Sequence, residues 1–129
     1  MRLLLDTHVA VWAVNRPSNL PRHIRDLVAD QRNMIFVSTV SIWEIAIKHS
    51  LGRLSAPEIN AAQAVVHFDD AGYIVLPVKA EHALAITSLP NRHGDPFDRM
   101  LVAQALTEPM RLVTHDNEPG AYSDTVITW

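Results

Sequence analysis

The feature that most constrains this fold is a set of short apolar runs, each lacking polar alternation and most ending at residues that favour a helix start or turn. Arg2 to Leu5 reads Arg-Leu-Leu-Leu and stops at Asp6-Thr7. Met34 to Val37 is followed by Ser38-Thr39, and Arg111 to Thr114 stops at His115-Asp116-Asn117. A strand with one face in water alternates apolar and polar residues, whereas one covered on both faces does not need to. The first two runs predict buried strands, Tyr73 to Leu76 a third strand and Arg111 to Thr114 a fourth, in a mainly parallel sheet.

The segments between them carry helical periods. Val9, Ala10, Trp12 and Ala13 predict a short helix after Asp6-Thr7. Ile24, Leu27, Val28 and Gln31 predict a second, between the loop Pro17–Pro21 and a break at Asn33. Val40, Trp43, Ile47 and Leu51 form an apolar stripe ended by Gly52, a good residue just past a helix. Pro57 is expected to open a helix over roughly Glu58–Asp70, with Ile59, Ala62, Val65, Val66 and Phe68 inward and Gly72 closing it. Lys79–Leu89 reads as a short helix, and Pro90–Gly94 as a loop. In the next helix Asp95 is the expected N-cap, Pro96 suits the first position and Pro109 ends the run. Phe97, Leu101 and Ala105 then make its core stripe, and Thr125–Thr128 reads as a final edge strand. Strands alternating with helices predict an α/β sandwich with a mainly parallel, roughly five-stranded sheet, in a single domain spanning residues 1–129.

The totals bound the chemistry. With 129 residues, 48% of them hydrophobic, the chain suits one domain with a full core. A net charge of −3 argues against a basic nucleic-acid coat, so a nucleic acid would be held by local Arg and Lys groups or by bound cations. There is no cysteine, hence no disulfide framework and no zinc–thiolate site. Leu3–Leu5 is too short for a signal-peptide core, and no run approaches the roughly 20 apolar residues of a membrane helix. The expectation is a soluble, cytoplasmic protein.

The acids are placed more pointedly. Ligands of open parallel sheets bind outside the carboxyl ends of the strands, where loops lead into helix N-termini. Asp6 follows the first strand, Glu44 lies in the first turns of the helix after the second, Asp98 starts a later helix and Asp116 follows the fourth strand. Each has a private structural explanation. Asp6 and Asp116 suit a cap or turn, Ser41 and Glu44 read as a capping box with a Glu44–Lys48 pair, and Asp98 suits the positive end of a helix dipole. Capping does not explain why all four belong to one sheet edge. Two carboxylates about 4 Å apart repel by about 4 kcal/mol at an effective dielectric of 20. Oxygen ligands crowded in this way point to a hard cation, Mg²⁺ or Mn²⁺, and to phosphodiester hydrolysis by metal-activated water.

These residues resemble the PIN domain family. The resemblance lies in Leu-Leu-Leu-Asp6-Thr7, then Val-Ser-Thr-Val-Ser-Ile-Trp-Glu44, then Asp95-Pro-Phe-Asp98-Arg-Met-Leu-Val-Ala-Gln-Ala, then Leu-Val-Thr114-His-Asp116. Within the family the chain is most similar to VapC-type toxins of bacterial toxin–antitoxin pairs. The resemblance implies a three-layer α/β/α sandwich, Mg²⁺- or Mn²⁺-dependent endoribonuclease activity, a homodimer and inhibition by a cognate antitoxin. Carried over, the catalytic and metal-binding acids are Asp6, Glu44, Asp98 and Asp116, supported by Thr7 and Thr114. Asp95 matches a further acid of the subgroup, its role open between cap and outer-shell ligand.

The other polar candidates are weaker. His8 and His115 flank acids and are either phosphate contacts or surface histidines, while His93 is expected to brace the turn before Asp95. His23, His49, His67 and His82 fall at no metal-ligand spacing. Arg92, Arg99, Lys48 and Arg53 are phosphate contacts or solvated charges, and Trp12 and Trp43 are core residues or base-stacking platforms. The alternative function is a catalytically weak metal-binding module that presents a surface to a protein partner. A phosphotransfer role for Asp6 fits poorly because His8 stands where an Asp-x-Asp pair needs its second acid, and no Gly-x-Gly-x-x-Gly supports a dinucleotide fold.

Overall fold

A computed structural model describes residues 1–90, 94–115 and 124–129. Its strands are β1 (Arg2–Leu5), β2 (Met34–Ser38), β3 (Ile74–Leu76), β4 (Arg111–Val113) and β5 (Val126–Ile127). They form one all-parallel sheet in the order β3-β2-β1-β4-β5. Leu4 of β1 stands in register with Phe36 on one side and Leu112 on the other. The absence of alternation is explained by cover on both faces. Leu3 and Leu5 join one apolar cluster with Val9, Ile24, Ile45 and Phe68, whereas Leu4 joins a second with Phe36, Leu101 and Leu112. The result is a three-layer α/β/α sandwich.

The helices are α1 (Thr7–Asn15), α2 (Arg22–Ala29), α3 (Thr39–Ser50), α4 (Ala61–Asp70), α5 (Ala80–Ala85) and α6 (Pro96–Thr107). Asp6 caps α1 by accepting from the Val9 N–H at 3.0 Å, as its position predicts. Asp95 caps α6 by accepting from the Phe97 N–H at 2.7 Å, and Pro96 opens that helix. Gly52 at φ +63° follows the end of α3, where an L side chain would be strained.

Four local expectations are corrected. The N-cap of α3 is Ser38, accepting from the Val40 N–H at 3.0 Å, so Ser41 and Glu44 do not form a capping box. The capping box lies instead at α4, between Asn60 and Gln63, and the helix begins three residues after Glu58. That register buries Ala64 and Phe68 and turns Ala62, Val65 and Val66 outward. The stripe on α3 also differs, because Ser41, Glu44 and Ile45 face inward while Trp43 is 59% exposed and Leu51 61% exposed. Trp43 packs edge-on against Phe97 of α6, with ring centroids 5.2 Å apart. Finally, the helix expected over Lys79–Leu89 is α5 followed by a 3-10 turn at Ile86–Ser88, and its buried side chain is His82.

Candidate functional site

Strand order decides where a ligand can enter. From β1 the chain runs outward to β2 and β3, then returns to β4 and β5 on the other side of β1. The connections leaving β1 and β4 therefore diverge, opening a crevice at their carboxyl ends. Asp6 and Thr114 follow those two strands immediately. The α6 helix runs back toward the start of β4, so its first turn, with Asp95 and Asp98, stands at the same edge.

A cavity of about 380 Å³ lies there, walled by Asp6, Thr7, Glu44, Asp95 and Asp98, with Lys48 beside them. Five of the seven acids and hydroxyls singled out in the sequence are thus brought together. Thr114 stands behind them, its hydroxyl donating to Asp6 Oδ2. Asp116, expected as the fourth acid, lies outside the described residues, as do Arg92 and His93.

Two of these carboxylates are nearly removed from water: Asp6 is 7% exposed and Glu44 4% exposed. Burial pushes the Asp6 carboxyl above its ordinary value of 3.8. The Thr114 hydroxyl, the Val9 N–H and His8 pull the other way, and the charge of Glu44 adds to the upward push. Glu44 is held at both oxygens. Thr7 Oγ1, itself 2.9 Å from Ser41 Oγ, donates to Oε1 at 2.8 Å, and Lys48 Nζ donates to Oε2 at 2.7 Å. Ser41 was missed as a site residue because it passes for a helix cap. Lys48 had a signal in the sequence, one turn beyond Glu44, but that spacing equally describes a surface pair.

In donor type the site suits a hard divalent cation. Its acidic donors are all oxygens, and Mg²⁺ commonly keeps several waters while using one or two carboxylates plus a phosphate. Asp6, buried with its carboxyl held above the ordinary range, is a group a cation would stabilise. The tightest group of metal-ligating types among the described residues lies elsewhere, at Glu81, His82 and Glu108. It is better described as an internal hydrogen-bonded pair of His82 and Glu108. His82 Nδ1 accepts from the Lys79 N–H at 2.9 Å, so Nε2 carries the proton and lies 2.5 Å from Glu108 Oε2. A metal-bound imidazole donates through its second nitrogen, which this geometry prevents. A larger cavity of about 560 Å³, lined by α2 and the starts of β2 and β3, carries Asp30, whose carboxylate is bound by Arg32 at 2.8 Å. It gathers no comparable set of acids.

His8, Trp12 and His115 stand at the mouth of the acidic cavity. Trp12 is half-buried, 5.8 Å from the His8 ring and 6.4 Å from that of His115. The His115 ring stacks on Trp129 at 4.6 Å.

Known proteins share this sequence pattern and architecture. The PIN domain family profile matches residues 3–123. Ribonuclease VapC22 of Mycobacterium tuberculosis is 30% identical over 118 residues, covering 88% of this chain and 86% of the relative. VapBC2 from Rickettsia felis, solved bound to a DNA fragment from its promoter, superposes with a TM-score of 0.68 at 17% identity, covering 100% of this chain and 99% of that one. VapBC-1 from nontypeable Haemophilus influenzae gives 0.68 at 18% identity, covering 100% and 97%. On the extent of the profile match and the near full-length VapC relative, the chain belongs to the PIN domain family, among its VapC-type members.

Proposed function

We propose that this protein is a Mg²⁺- or Mn²⁺-dependent endoribonuclease, the toxin of a toxin–antitoxin pair, hydrolysing RNA phosphodiester bonds by metal-activated water. The observation that carries the reading is the acidic cavity at the divergence of β1 and β4, with Asp6 and Glu44 buried in its wall and Asp98 opposite on α6. The ribonuclease name of the VapC22 relative supports the substrate class.

In this reading Asp6, Glu44, Asp98 and Asp116 are the metal-binding acids. A cation bound among them would acidify water and offset charge on the phosphate. Thr114 and the Val9 N–H fix both oxygens of Asp6, so the carboxylate is oriented before any ligand arrives. Thr7 and Lys48 fix Glu44 in the same way. Asp95 spends Oδ1 on the Phe97 N–H and thereby sets the first turn of α6, which aims Asp98. Its second oxygen leaves an outer-shell role open to it.

The partners follow from the same reading. The structural neighbours named above are VapBC complexes, which supports a cognate antitoxin for this chain, and a homodimer is part of the proposal. No helix among the described residues is long and apolar enough to cross a membrane. Action in the cytoplasm, where RNA is found, completes the proposal. The test is incubation with structured RNAs in Mg²⁺ or Mn²⁺, with and without chelator. Cleavage that stops with chelator, and with Asp6→Asn or Asp98→Asn, is expected. Cutting that survives chelation and both substitutions contradicts it, and metal-dependent stabilisation without cleavage favours a binding module.

A further inference from the structure

Among the described residues that wall the acidic cavity, Lys48 carries the one ammonium or guanidinium group. Its Nζ lies 2.7 Å from Glu44 Oε2, with the two side chains only 16% and 6% exposed. An ordinary pair at this helical spacing keeps both ends in water and holds loosely. Here the second carboxylate oxygen is bound by Thr7 at 2.8 Å, so Glu44 is fixed and fixes the ammonium in turn. An ammonium has three N–H donors, and Glu44 uses one.

We propose that Lys48 is a substrate-binding residue whose ammonium, tethered by Glu44, takes a phosphate oxygen of the RNA strand beside the position of Asp6 and Asp98. The inference rests on the nuclease reading above and deepens it. It divides the cavity into two halves. The acids, Glu44 among them, face the metal, and the Lys48 ammonium presents a positive charge to the phosphate.

Two consequences of opposite sign follow. With RNA in place the ammonium neutralises phosphate charge. Without RNA it repels a divalent cation in the same cavity, and its removal leaves the Glu44 charge unopposed. Losing Lys48 should therefore tighten metal binding and weaken RNA binding together. A side chain that only holds α3 in place would, when lost, loosen both or change neither.

The experiment compares wild type with Lys48→Gln and Lys48→Arg. Mn²⁺ alone is titrated by calorimetry, and Mg²⁺-dependent cleavage of a labelled single-stranded RNA is resolved into kcat and KM. The Gln variant is expected to bind Mn²⁺ about tenfold more tightly, as loss of a nearby like charge implies. Its KM is expected to rise about tenfold, with Lys48→Arg returning KM to within about threefold of wild type. Should the Gln variant not fold, Lys48→Met keeps the apolar stem and repeats both measurements. Unchanged or weaker Mn²⁺ binding, or an unchanged KM, in a variant whose wild-type parent binds and cleaves overturns this inference alone. A wild type that binds no Mn²⁺ and cuts no RNA overturns the nuclease reading and this inference with it.

Discussion

Replacing Thr7 by Val tests whether the interior of the site is built as a network. The substitution keeps the branched shape in the first position of α1 and deletes only the hydroxyl. That hydroxyl is buried, 2.8 Å from Glu44 Oε1 and 2.9 Å from Ser41 Oγ. A hydrogen bond to a charged group contributes about 1.5–3 kcal/mol, and stranding the buried Ser41 hydroxyl costs about 1 kcal/mol more. The expected loss is therefore about 2.5–4 kcal/mol, a large share of the roughly 5–15 kcal/mol that holds a domain folded. In a chain of this size each kcal/mol moves Tm by about 3–5 °C, so the melt should fall by about 8–20 °C. Urea unfolding of wild type, Thr7→Val, Glu44→Gln and the double variant, in chelator at neutral pH, isolates the pair. A coupling of about 1.5 kcal/mol or more is expected. A coupling under about 0.5 kcal/mol, with Thr7→Val within about 1 kcal/mol of wild type, would refute the network.

Four further outcomes are expected. A buried acid whose carboxyl is raised above 3.8 binds its proton more tightly when folded, so ionised Asp6 subtracts from stability as pH rises from about 4 through the folded value. Asp6→Asn in chelator at pH 7 should melt above wild type, the gap closing below about pH 4, and added Mg²⁺ should stabilise the variant less; equal melts at both pH values would show otherwise. Glu108, held below its ordinary 4.5 by the N–H of fully buried His82, contributes stability above that value that is lost as pH falls through its lower folded value. Glu108→Ala should cost about 1–3 kcal/mol at pH 7 and flatten the acid limb of a stability–pH curve, because it strands the His82 donor. Trp43→Ser should cost at most about 1.5 kcal/mol, since the ring is mostly exposed and loses chiefly its edge contact with Phe97. Leu101→Ala, from the fully buried core, should cost about 2–5 kcal/mol in the same urea assay.

The architecture was legible because its signals are local. Leu3, Leu4 and Leu5 lack alternation since both faces of β1 are covered, and that property is written in three consecutive residues. Asp6 and Asp95 cap α1 and α6 through donors only two or three residues away. The misreadings arose where two local patterns competed. Ser38 and Ser41 are both plausible caps for α3, and choosing Ser41 hides the bond to Glu44 from the Thr7 hydroxyl, which is remote along the chain. Pro57 and Asn60 compete in the same way for the start of α4, and the reciprocal Asn60–Gln63 bonds decide it. The stripe through Trp43 shows the limit of period alone. A face that packs against α6 and the cavity can bury Glu44 and leave an indole outside. The partly buried Lys48–Glu44 pair has the same spacing as a surface ion pair, so only its depth separates the two.

The central claim is that carboxylates distant along the chain share one divalent cation. Crystals soaked in Mn²⁺ and measured for its anomalous signal address it directly. The account predicts a peak about 2.0–2.3 Å from oxygens of both Asp6 and Asp98, absent in crystals of Asp98→Asn. Anomalous density confined to Glu81 and Glu108, or none in the cavity at saturating Mn²⁺, would contradict it.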